Sequence, residues 1–152
     1  MSSIMDRAIR YLSERSASED EVRLYLEKEF EAIPNMNYRI DLALSRLKEL
    51  HLIDDMQLAK KLAQHYVHKG NRFIYQTLMQ KGISKEITAH VLLALDNEHV
   101  RALNEARKKL AGNWDSSQKA MTLLHRFLSG RSFSHTTIKN VMSNLAAQSS
   151  FL

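Results

Sequence analysis

Residues 83–95, ISKEITAHVLLAL, and residues 133–145, FSHTTIKNVMSNL, carry one pattern at an offset of 50. Ile83 matches Phe133, Ser84 matches Ser134, Val91 matches Val141 and Leu95 matches Leu145. In both stretches a serine follows one large apolar residue and precedes an apolar stripe at helical spacing. A serine hydroxyl there can accept from the open backbone N–H groups of a helix start, while the apolar residue before it packs onto the first turns. At an offset of 47, Ile40 and Leu44 stand where Ile87 and Val91 do, so a looser copy precedes the first. Repeats of about 40–50 residues imply an array whose small units each bury part of their surface against a neighbour.

The rest of the chain falls into the same rhythm. Ile4, Ala8, Tyr11 and Leu12 form a first apolar stripe, which stops at a Ser-Ala-Ser turn. Ser18 followed three residues later by Glu21 reads as a capping box, opening a helix with Val22, Leu24, Leu26 and Phe30. Pro34 marks a loop, and Asn35 opens a third helix with Ile40, Ala43, Leu44, Leu47 and Leu50 on one face. Similar stripes cover 57–68, 72–80 and 85–95, then 100–110, 116–128 and 135–145. The expected fold is all-α: an elongated, curved array of three tandem three-helix units, at 1–54, 55–96 and 97–152. Four glycines and one proline in 152 residues favour helix over a turn-rich β fold. Gly82, between Lys81 and the Ile83-Ser84 start, is expected in the left-handed conformation that closes a helix, with His51 at the matching place in the first unit.

Composition excludes several classes of function. With no cysteine, there is no disulfide framework and no thiolate metal site. The first residues carry charge throughout and lack the apolar run of a signal peptide, and no stretch approaches the 18 or so apolar residues of a membrane span. A cytoplasmic protein without membrane contact is expected. No phosphate-cradling glycine loop, dinucleotide fingerprint or nucleophile elbow occurs. His65 and His68 could face one metal, but no third ligand stands at useful spacing. Asp54 and Asp55 precede a helical stripe and read as helix caps rather than a catalytic pair. No cofactor, no metal and no catalysis are expected.

Charge is more informative. Residues 1–54 hold 8 Lys/Arg against 11 Asp/Glu, residues 55–96 hold 6 against 3, and residues 97–152 hold 8 against 3. Positive charge thus gathers in the last two units, as a face for an acidic partner requires. Lys69, Arg72, Lys81, Arg101, Lys108, Lys109, Arg126 and Arg131 are the candidate contacts. Three-helix units also raise a helix-turn-helix reading. The last helices of the units are too apolar to read base edges, so any nucleic-acid contact is expected to be weak or indifferent in sequence preference.

LKELHLIDDMQLAKKLAQHYVHKG (residues 47–70) resembles the RecX family's Leu-Lys-x-Leu-Gly-Leu-Ile-Asp-Asp pattern. QTLMQKGISKEITAHVLLAL (76–95) is similar to its Leu-x-x-Lys-Gly-Ile motif, and HRFLSGRSFSHTTIKNVM (125–142) to its Arg-Phe-Leu-x-x-Arg-Gly-Phe motif. His51 and Ser132 stand where the family has glycine, and Leu58 where it has phenylalanine. The resemblance implies a regulator that lies along the RecA filament on single-stranded DNA and restrains ATP hydrolysis, strand exchange and repressor co-cleavage. Contact with single- and double-stranded DNA, and a monomeric state, are expected. Two other readings stay open: a stand-alone nucleic-acid-binding or transcriptional regulatory helical module, and a protein–protein adaptor.

Overall fold

The structure, a computed structural model, describes residues 3–112 and 114–149. Among these residues there are nine helices and no strand. They are α1 (Ile4–Glu14), α2 (Glu19–Glu29), α3 (Met36–Glu49), α4 (Asp55–His65), α5 (Asn71–Gln80), α6 (Lys85–Ala94), α7 (Glu98–Leu110), α8 (Gln118–Gly130) and α9 (His135–Ser149). The all-α, tandem three-helix reading therefore holds. Several boundaries differ from expectation by a few residues: α4 and α7 begin two residues earlier, α8 runs on to Gly130 and α9 to Ser149. α4 stops three residues short of His68, where the Tyr66 and Lys69 amides close tight turns onto Ala63 and Tyr66. α8 is capped by Ser117, one residue after the expected start.

Local chemistry starts each helix where it does. Ser3 with Asp6, and Ser18 with Glu21, form complete capping boxes. Asp54 accepts from Gln57, Ser84 from Ile87, Asn97 from Val100, Ser117 from Ala120 and Ser134 from Thr137. Each such cap contributes ~1 kcal/mol. Asn35 opens α3 differently, in the left-handed conformation and without a side-chain cap.

Three helices end in the same way. The Leu52, Ile83 and Phe133 amides donate to the Leu47, Leu78 and Leu128 carbonyls, and the His51, Gly82 and Ser132 amides donate to Lys48, Met79 and Ser129. This double bond is the Schellman closure, and it needs its penultimate residue at positive φ. His51, Gly82 and Ser132 take φ of 60°, 79° and 65°. The expectation for Gly82 and His51 is met, and the third copy is Ser132.

Contacts divide the chain into two compact bodies, one of Met1–Lys61 with Leu78–Ala89, the other of Leu62–Thr77 with His90–Leu152. The first has a core of Val22, Leu26, Ile40, Leu44 and Leu47, with Tyr11 and Tyr25 stacked at 4.2 Å. The second has Ala102, Ala106, Leu124, Leu128, Phe133 and Val141. Fully burying each large side chain stabilises by about 1.5–3 kcal/mol.

Each body is closed by the same latch, built on the start of a triplet's second helix. In the first body the buried Ser18 hydroxyl, N-cap of α2, donates to the Lys81 carbonyl at the end of α5, and the Glu19 amide donates to Asp55 at the start of α4 (2.9 Å). In the second body the Gly70 amide, just before α5, donates to the Arg131 carbonyl at the end of α8 (2.8 Å), and the Asn71 amide donates to Glu98 at the start of α7 (2.8 Å). Helix starts leave backbone donors open, and carboxylates from the following triplet take the Glu19 and Asn71 amides; the triplet's carbonyl takes the Gly70 amide in the second body and the Ser18 hydroxyl in the first. Asp54 caps α4 as expected; Asp55 stands in the first turn of α4, where its charge favours the helix dipole, and also accepts from the start of α2.

Candidate nucleic-acid interface

In the second body, the Tyr66–Gly70 turn is held from two sides. Glu98 accepts from the Asn71 and Ser134 amides, both at 2.8 Å, so one carboxylate joins the starts of α5 and α9. Burial pushes this carboxyl up, but the Ser134 and Asn71 amides bring it below its usual value. Arg101 donates to the carbonyls of Asp96 (2.8 Å), Val67 (3.3 Å) and Lys69 (2.6 Å), and to the Asn71 side chain.

Around this turn the ends of α7 and α8 bring cations together. Arg131 pairs with Glu105 at 2.6 Å, and Lys108 approaches the same carboxylate at 3.4 Å. The Arg131 guanidinium lies 4.5 Å from the Phe127 ring centre, and the Lys109 ammonium 5.3 Å from it. Lys69 lies 4.9 Å over Phe73. Burial pushes the His68 imidazole below its ordinary value, and Arg131 beside it acts the same way. Arg107, Lys108 and Lys109 fill the last turn of α7, where positive charge offsets the helix dipole. The Glu105 carboxylate stands against Arg131 and Lys108, with Lys109 beside Phe127 and Lys69 over Phe73. Such a cluster, with the exposed Lys108 and Lys109 at its rim, suits phosphate oxygens without reading bases.

The eight candidate residues separate into three groups. Lys69, Lys108, Lys109 and Arg131 are brought together in this cluster. Arg72 and Arg126 are exposed elsewhere on the same body. Lys81 belongs to the other body, 3.6 Å from Glu21. Arg101 is the correction: only 5% exposed, it is engaged with backbone carbonyls and holds the turn in place. Its position was readable in α7, where the buried phase is Arg101, Ala102, Glu105 and Ala106, the i, i+1, i+4, i+5 face set by the two alanines. The same phase points to Glu105, which charge counting alone passes over.

No protein-family model matches the chain. Regulatory protein RecX of Listeria welshimeri serovar 6b is 31% identical over 122 residues, covering 77% of this chain and 44% of that protein. Regulatory protein RecX of Clostridium botulinum is 34% identical over 106 residues, covering 66% of this chain and 50% of that protein. The crystal structure of RecX from Lactobacillus salivarius has the same fold, with a TM-score of 0.73 at 23% identity over 95% of both chains. The chain belongs to the RecX family. It spans half or less of the length of these two curated RecX relatives. A second crystal structure, of regulatory protein RecX, matches with a TM-score of 0.66 at 21% identity over 92% of this chain and 71% of that one.

At the two positions where the resemblance leads one to expect glycine, His51 and Ser132 take positive φ, a backbone conformation that a Cβ disfavours. Among the described residues no group of three or more His, Asp or Glu side chains that could hold a metal ion forms. Among the described residues, too, no helix is long and apolar enough to cross a membrane.

Proposed function

We propose that this RecX-family chain binds the RecA filament on single-stranded DNA and restrains its ATPase, strand-exchange and co-protease activities. The observation that carries this reading is the cation cluster of Lys69, Lys108, Lys109 and Arg131, flanked by Phe73 and Phe127. A filament groove lined by protein and phosphate is an extended polyanion. Lysines and arginines that neutralise phosphates release condensed counterions, so affinity falls with salt by nearly one log unit per log unit for each contact. Restraint then follows from occupancy: a chain lying on both protein and phosphate favours the conformation it binds and slows the cycle that requires leaving it.

The same proposal has the chain acting in the cytoplasm as a monomer, without cofactor or catalysis, with repeats at 1–54, 55–96 and 97–152. It tolerates both single- and double-stranded DNA. A stand-alone nucleic-acid-binding module is the second reading, favoured by the same cluster taken without a protein partner. Fluorescence anisotropy separates the two. Affinity for a RecA filament at least tenfold above that for the same bare oligonucleotide supports the proposal; equal affinity for both supports the second reading.

A further inference from the structure

The first body is acidic, and one part of it is left unbalanced. α2 ends in Glu27, Glu29 and, just beyond it, Glu31. Glu29 is paired with Arg7 at 2.8 Å, whereas Glu27 and Glu31 enter no ion pair among the described residues. The C-terminal end of a helix disfavours anions, and Glu27 stands in the last turn of α2 with Glu31 just past it. Lys28 is the basic residue in that last turn, and it lies on a different side from Glu27. The chain thus keeps two uncompensated carboxylates where its own helix is least hospitable to them.

They border a pocket of about 530 Å³. Met36 forms part of its buried floor, and half-buried Phe30 lies beside it. Ile33 and Tyr38 stand at the rim, 46% and 70% exposed. Asn35, also lining the pocket, makes no cap hydrogen bond with its side chain. A mixed lining, in which Phe30, Ile33 and Tyr38 stand beside the Glu27 and Glu31 carboxylates and the Asn35 amide, matches one chemistry: a cation on an apolar stem.

We propose that this pocket receives a cationic peptide segment of a partner protein, with an arginine between Glu27 and Glu31 and an adjoining apolar side chain against Phe30, Ile33 and Tyr38. The site lies in the first body and does not depend on the cation cluster of the second.

The test uses the full chain, isotope-labelled, titrated with acetyl-Ala-Arg-Leu-Arg-Ala-amide while backbone amide shifts are followed. A peptide with glutamine for both arginines serves as the comparison, and Glu27→Gln/Glu31→Gln as the variant. The expected result is a saturable shift confined to residues 27–40, with affinity reduced about tenfold by the glutamine peptide or by the double variant. The variant's melting temperature should be unchanged or raised, since charge disfavoured at the helix end is removed. Equal binding of both peptides, undiminished binding by the variant, shifts centred outside the pocket, or no saturable response at millimolar peptide would each overturn the assignment.

Discussion

Replacing Gly70 with alanine should damage the second body more than any other single methyl addition at a glycine. Gly70 stands at the start of α5, buried, with its amide on the Arg131 carbonyl at 2.8 Å. A Cβ there would sit 2.7 Å from the Phe133 Cα and closer still to the Ser132 carbonyl. Carbon contacts are comfortable near 3.5–4.0 Å, and the obstructing atoms are all backbone, so no rotamer can relieve the clash. The turn must back away by about 1 Å or more. That movement lengthens the Gly70–Arg131 bond and strains the Asn71–Glu98 and Arg101–Lys69 bonds beside it. Overpacking costs about 1–3 kcal/mol, and a buried hydrogen bond left unmade about 1–3 kcal/mol more. The sum is roughly 2–6 kcal/mol. At about 2–4 °C per kcal/mol for a chain of this size, the melting temperature should fall by roughly 5–20 °C. Thermal melts followed by circular dichroism measure it. Gly130→Ala is the control, because nothing lies within 4 Å of its added Cβ near the end of α8; it should stabilise by ~0.5–1 kcal/mol. A Gly70→Ala protein melting within 2 °C of the parent, ~1 kcal/mol or less, would refute the latch.

The other expectations come from the same turns. Ser132→Gly and His51→Gly should each stabilise by ~0.5–1 kcal/mol in urea titrations, since both parent residues occupy left-handed backbone. Gly82→Val should cost ~2 kcal/mol or more by thermal melting: φ is 79° and an added Cβ would lie 2.5 Å from the Asp20 side chain. Glu98→Gln should cost about 1–3 kcal/mol at neutral pH, measured by urea unfolding. The folded-state carboxyl is held below its ordinary value, so its contribution is full above the unfolded value and fades as pH falls through the folded one; the parent's advantage should shrink on acidification. Asp55→Asn should show the opposite trend, because burial raises that carboxyl and its ionised form is disfavoured by folding as pH rises.

How far the sequence reveals the fold depends on the range of the chemistry. Helix starts and ends are local: Ser18 with Glu21, Ser84, Ser134 and Gly82 act within five residues, and each is legible from its neighbours. The latches are not. Asn71 and Glu98 are 27 residues apart, and Ser18 and Lys81 are 63 apart, so nothing in either stretch announces its partner. The middle triplet gives Asp55 and Lys81 to one body and Gly70 and Asn71 to the other, which is why compactness follows the latches rather than the periodicity. The interface shows the same division. Charge counting finds Lys108, Lys109 and Arg131, but it treats all cations alike. Only the buried phase of α7 separates Arg101, which serves the turn, from Lys108, which faces solvent.

The central claim, that exposed cations of the second body engage the filament, is tested by the quadruple reversal Arg72, Lys108, Lys109 and Arg126 to glutamate. All four are exposed. Lys69 and Arg131 are better left in place, since Lys69 packs on Phe73 and a glutamate at 131 would stand against Glu105. The measurement is inhibition of RecA filament ATP hydrolysis across a range of variant concentration and salt, with melting temperature as the check on folding. The predicted result is a folded variant needing at least tenfold higher concentration for half inhibition, with a shallower salt dependence than the parent. A folded variant that inhibits at the parent's concentration, with the parent's salt slope, would contradict the account.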